Sequence, residues 1–129
     1  MTSVREEYDA VRIAVRKAML DTSAPNYAHL LHAEANLETT YITRLFSEFE
    51  GILKQYLLAN DPRRRASREA YNRINRVARL FSIPDDIRDR VHIAREYRNS
   101  VIHPGGAARP TITFSVTLSS LNRFLAPLL

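Results

Sequence analysis

Three polar residues in the last third of the chain are spaced to act together: Arg98, Asn99 and His103, within the stretch Arg95 to Gly106 written REYRNSVIHPGG. Arginine presents a planar fork that suits phosphate or carboxylate, and histidine is the side chain that changes charge near neutral pH. Asn99 and His103 stand four residues apart, so on a helix they share a flank where the amide can orient the imidazole. The chemistry that such a trio suits is proton transfer beside a phosphate. Pro104 disfavours helical geometry at His103, which therefore sits at a helix end ahead of a Pro-Gly-Gly loop.

The element that must position the trio is amphipathic. With Ile87 at zero, Val91 falls at about 40°, Ala94 at about 340°, Val101 at about 320° and Ile102 at about 60°, one apolar stripe. Arg98 falls at about 20°, inside that stripe. An unpaired guanidinium there is costly, so Arg98 must meet a carboxylate, a partner chain or a ligand phosphate. Glu48 and Glu50 are acids that could take it, and His103 could then simply cap the helix through its ring.

An arginine and a histidine at this separation arise easily by chance in a chain with 17 arginines and 4 histidines, so the information lies in the context. Asn99 follows the arginine, the pair ends an amphipathic helix, a Gly-containing loop comes next, and one more apolar helix follows. In these respects the stretch resembles the HEPN (higher eukaryotes and prokaryotes nucleotide-binding) superfamily. The signature of that superfamily is Arg, usually a polar residue such as Asn, then His four to six residues beyond the Arg. The resemblance implies a metal-independent endoribonuclease that works as a homodimer with the motif helices at the interface. It implies His103 as acid/base, Arg98 as phosphate clamp and Asn99 as the orienting or phosphate-contacting amide. It also implies the toxin of a toxin-antitoxin pair, with a cognate antitoxin protein, or a phage-defence effector. Some members of the superfamily bind nucleotides or partner proteins without cutting RNA. His103 separates the two, since passive binding needs the cation but has little use for a titrating group.

The residues fit the cutting reaction on their own terms. Cleavage of RNA by its own 2'-hydroxyl needs a base, an acid and positive charge for the phosphorane oxygens. Two chains about a two-fold axis would supply two histidines and two arginines to one phosphate. No cofactor is called for. His29 and His32 have helical metal-ligand spacing, but no carboxylate or further histidine has a defined place beside them, so no metal is assigned.

At 129 residues, 45% hydrophobic and 26% charged, residues 1–129 are expected to form one globular domain with a proper core. Cysteine is absent, which removes disulfides and thiolate chemistry. No apolar run is long enough to span a bilayer and the N-terminus is unlike a signal peptide, so a cytoplasmic protein with no membrane partner is expected. The formal charge is +5, almost all of the basic residues being arginine. Phosphate recognition and genomic base composition both explain such a bias.

Apolar periodicity outlines five helices. The first runs from Val4 to Leu20 on Val4, Tyr8, Val11, Val15 and Met19, with Arg5 and Asp9 paired across one turn. The second, Tyr27 to about Ala59, carries two adjacent apolar stripes, which makes it central, and Asn36 or Gly51 are places for a kink. The third, from about Pro62 or Ser67 to Phe81, carries Ala70, Ile74, Val77 and Phe81, while Arg65, Arg68, Arg76 and Arg79 form a band on its back that either faces solvent or contacts RNA phosphates. Ser82 to Asp85 has the form of a capping box opening the fourth helix, which runs to the motif. Ser115 can cap a last helix with Leu118, Leu121, Leu125 and Leu128 inside. Five helices with short joins and no convincing strand predict an all-α antiparallel helical bundle.

Overall fold

A 34-residue helix, α2 (Tyr27–Asn60), is the axis around which the others pack. At 1.5 Å per residue it is about 51 Å long, and it runs unbroken through both Asn36 and Gly51. Its sequence explains its place. Tyr41, Ile42, Leu45, Phe46, Phe49, Leu53 and Leu57 are all buried, a stripe too wide for one neighbour to cover. The computed structural model describes residues 2–19, 27–60, 69–106 and 108–129. Besides α2 these form α1 (Thr2–Met19), α3 (Ala70–Leu80), α4 (Asp85–Ile102) and α5 (Phe114–Leu125), closed by a short 3-10 turn (Ala126–Leu128), with no strand among the described residues. The architecture is an all-α helical bundle. Helices α1, α3, α4 and α5 all contact α2, and α4 also packs on α3 and α5.

The core is one continuous cluster. Val4 and Tyr8 of α1, Ile74 and Val77 of α3, Val91, Ala94 and Tyr97 of α4, and Phe114, Leu118, Leu121, Phe124 and Leu125 of α5 close on the α2 stripe. Tyr8 stacks on Phe114 with centroids 3.9 Å apart, and Phe49 meets Phe124 edge-on at 5.5 Å. Full burial of side chains this large is worth roughly 1.5 to 3 kcal/mol each in transfer free energy.

Helix ends depart from the sequence expectation in two places. Ser82 does not cap α4. It takes a left-handed backbone (φ 52°) and ends α3, its N–H reaching Arg79 O at 3.4 Å while the Ile83 N–H reaches Ala78 O at 2.9 Å. This pair of bonds is a Schellman ending, with buried Ile83 as its apolar contact. The α4 helix starts after Pro84 with Asp85 and Asp86 in its first turn, where negative charge offsets the helix dipole. Thr113, not Ser115, caps α5, its Oγ1 accepting from the Val116 N–H at 3.2 Å. Glu38 of α2 accepts from the Phe114 N–H at 2.9 Å, so α5 is capped from two sides.

A left-handed conformation costs a residue with a Cβ about 1 kcal/mol or more that glycine avoids. Ser82→Gly is therefore expected to stabilise the fold by about 0.5 to 1 kcal/mol, and Ser82→Val to destabilise it. Chemical denaturation of the two variants checks this, and a less stable glycine variant would contradict the assignment.

Candidate functional site

The arginine inside the α4 stripe has found a carboxylate. Arg98 Nη1 donates to Glu50 Oε2 at 3.1 Å and Nη2 to Glu50 Oε1 at 3.0 Å, a two-pronged contact between α4 and α2. Arg73 of α3 approaches the same Oε1 at 3.5 Å. All three side chains are withdrawn from water, at 4% exposure for Arg73, 13% for Glu50 and 17% for Arg98. The Arg98 guanidinium also lies over the Phe46 ring, 5.0 Å from its centroid. Of the three partners open to Arg98 in sequence, the structure supplies the carboxylate. Its burial alone thus gives no reason for a second chain.

The buried arc of α4 is turned relative to the expected one. Tyr97 is buried and its hydroxyl meets Thr39 Oγ1 at 2.8 Å, whereas Ile102 is exposed at 52%. Arg98 stays within the buried arc, between Val91 and Ala94, where its fork can reach Glu50.

Asn99 and His103 come together, and Arg95 joins them. All three line an open groove of about 480 Å³ at the end of α4, with Glu96, Ser100 and Gly106. The spacing accounts for this, because residues 95, 99 and 103 are one turn apart on one face. His103 is exposed at the C-cap, its N–H donating to the Asn99 carbonyl at 2.8 Å. Gly105 then turns the chain with φ 97°, a conformation that glycine adopts without strain. Arg98 is not among the residues lining this groove. Its fork points to Glu50 instead.

Upstream on α4 lies a larger groove of about 800 Å³ against α3. Arg95 Nε donates to His92 Nδ1 at 3.3 Å, which places the imidazole proton on Nε2, and Nε2 meets Asn75 Oδ1 at 2.8 Å. Burial, then the nearby Arg95 and Arg88 cations, push the His92 pKa below its ordinary value, in keeping with a neutral ring. Tyr71 stands against His92 with centroids 4.9 Å apart, and the Arg95 guanidinium lies 5.3 Å from the Tyr71 centroid. Arg76 and Arg79 line this groove, while Arg65 and Arg68, the other two members of the expected band, lie outside the described residues.

Sequence reasoning missed Arg73, Arg95, His92 and Asn75. Only Arg95 had a local signal, its place one turn before Asn99. The side chains of His29 and His32 lie outside those described. Among the described residues no group of three or more His, Asp or Glu is placed to hold a metal, and no helix is long and apolar enough to cross a membrane.

Removing one member of a buried charge cluster leaves the others uncompensated, at about 3 to 5 kcal/mol. Glu50→Ala removes the carboxylate that Arg98 and Arg73 both approach and is expected to cost that much stability, whereas Arg98→Met leaves Glu50 its contact with Arg73 and is expected to cost clearly less. Chemical denaturation gives the ordering, and a larger loss for Arg98→Met would show that Glu50 is not the hub.

No model of a known protein family matches this chain, no curated protein is detectably similar to it, and no solved structure matches it.

Proposed function

We propose that the chain is a metal-independent endoribonuclease acting as a homodimer. The observation that carries the reading is the placement of Arg95, Asn99 and His103 on one open face at the end of α4. A proton-transfer group, an amide and a cation converge there on space large enough for a phosphate and its sugar. Arg98 supplies positive charge from beneath. Arg73 shares the same Glu50 oxygen, so two guanidiniums stand behind this face.

In this reading one His103 takes the proton from the 2'-hydroxyl as its oxygen attacks the phosphorus. The partner subunit's His103 gives a proton to the departing 5'-oxygen. The products are a 2',3'-cyclic phosphate and a free 5'-hydroxyl, and no oxidant, metal or water is consumed. Arg76 and Arg79, with Arg65 and Arg68, contact phosphates of the strand. The role of a toxin held by a cognate antitoxin, or of a phage-defence effector, belongs to the same proposal and rests on the family resemblance.

A second reading is favoured by the Glu50 contact itself. A fork already occupied at 3.0 and 3.1 Å has less to give a phosphate. The chain would then be a non-catalytic module that binds a nucleotide, RNA or a protein, with His103 doing no more than ending the helix.

Incubating labelled RNA with wild type and with His103→Ala, both in EDTA, separates the two. His103→Ala is expected to lose on the order of 10² to 10⁴ in cleavage while keeping its RNA affinity. Arg98→Ala should lose cleavage and also weaken phosphate binding. Equal cutting by wild type and His103→Ala would exclude His103 from the reaction, and loss of cutting in EDTA would sink the metal-free mechanism. Failure of wild type to cut several RNAs would favour the binding module.

The dimer has its own check. Light scattering at micromolar concentration should report twice the 14.8 kDa chain mass. A protein that cuts as a monomer would remove the two-histidine arrangement.

A further inference from the structure

The α3–α4 groove is more than a solvated gap between helices. Besides Arg73, which is buried against Glu50, its walls carry four arginines against two carboxylates, and its largest exposed apolar feature is Tyr71, half out of the protein at 50%. Most surface arginines are flexible. Arg95 is not, because its Nε is bonded to His92, which is in turn bonded to Asn75, and its guanidinium rests by the Tyr71 ring. The chain of contacts holds the Arg95 guanidinium in the groove wall, where its Nη2 makes, among the described residues, only a long pair, 3.8 Å, with the exposed Glu96, a contact that another anion can replace. The carboxylate contacts of Arg88, with Asp85 at 3.5 Å and Asp89 at 3.2 Å, are exposed pairs that hold little free energy and can be exchanged for another anion.

An aromatic face beside a positively charged groove is the arrangement that binds single-stranded nucleic acid, bases stacking on the ring while the backbone follows the cations. Duplex RNA offers no unstacked base to such a face. The groove also joins the site already described, since Arg95 and Glu96 line both. From Arg95 to His103 is about 12 Å along α4. The geometry points to a substrate track: a single strand lies in the α3–α4 groove with one base on Tyr71 and its phosphates on Arg79, Arg88 and Arg95, and passes along α4 to His103. This rests on the RNA reading and narrows its substrate to unpaired strand.

The test uses full-length protein carrying His103→Ala, so that nothing is cut, and a fluorescein-labelled single-stranded oligouridylate followed by anisotropy. Tyr71→Leu should weaken binding by about 5- to 150-fold, the range expected for one lost base stack, while Tyr71→Phe should bind like the parent. Arg88→Gln should lower the slope of log affinity against log salt by about 0.7. The same RNA annealed to its complement should bind more weakly than the single strand. Retention of affinity and salt slope in Tyr71→Leu and Arg88→Gln would overturn the track while leaving the RNA reading standing. Binding of uridine monophosphate as tight as that of the oligomer would overturn it too, by showing a nucleotide pocket with no track. Absence of any RNA binding by the parent protein would instead remove the RNA reading itself. Thermal melts of the tyrosine variants guard the comparison, and Tyr71→Phe keeps it informative if the leucine variant is unstable.

Discussion

One carboxylate, Glu50, is the point to which three helices are tied. Charge withdrawn from water is expensive, and a buried ion pair repays its desolvation only with good geometry. The two-pronged contact with Arg98 provides that geometry, and Arg73 adds a second cation to the same oxygen. The net stabilisation from such a cluster is small compared with that of the apolar core around it. Its effect is on arrangement: a rotation or slip of α4 would pull the Arg98 fork off Glu50, and one of α3 would break the Arg73 contact, so the cluster selects one packing among those that bury similar area.

That selection bears directly on the surface. With Arg98 fixed inward, residues three positions before it, one after and five after are turned outward together, which puts Arg95, Asn99 and His103 on one groove. Arg95 then links this groove to the one upstream through His92 and Asn75. The inward and outward faces of α4 are therefore coupled, with two arginines three residues apart that are equally withdrawn from water, one paired to Glu50 and the other lining the grooves. Identity of residue type does not reveal which is which. Only the partner does.

Much of the bundle was legible as periodicity, because apolar spacing reports burial on a single helix and α2 carries an unusually wide stripe. The misfit of Arg98 was legible for the same reason, and Glu50 was already among the acids that could answer it. What periodicity cannot report is pairing between helices. Arg73 carried no signal in the sequence, and its burial beside Glu50 follows only from the packing of α3 on α2. The Asn75–His92–Arg95 chain spans two helices and has no local signature. Tyr97 pulled the buried arc of α4 toward itself through a bond to Thr39, a residue 58 positions away. Caps failed for a related reason: Ser82 and Ser115 have the right chemistry, but the backbone at Ser82 was claimed by the end of α3, and Thr113 lay where the α5 amide groups converge. The chemistry of the site was legible only as a trio of residue types, and the share taken by Arg95 became visible once the groove had walls.

The first helix is held differently from the rest. Among its described side chains Val4 and Tyr8 are buried, while Val11 and Ile13 face water, and its polar ties include Glu7 to Arg44 at 2.9 Å and to the Tyr41 hydroxyl at 3.0 Å. A helix that, among the described residues, contacts α2 and reaches α5 through Tyr8 can detach while α2, α4 and α5 stay folded, so its backbone amides should exchange with solvent through a partial opening rather than through global unfolding. Such an opening would uncover Tyr41 and Phe114 together, a transient apolar strip along the outside of the bundle that the closed protein never presents.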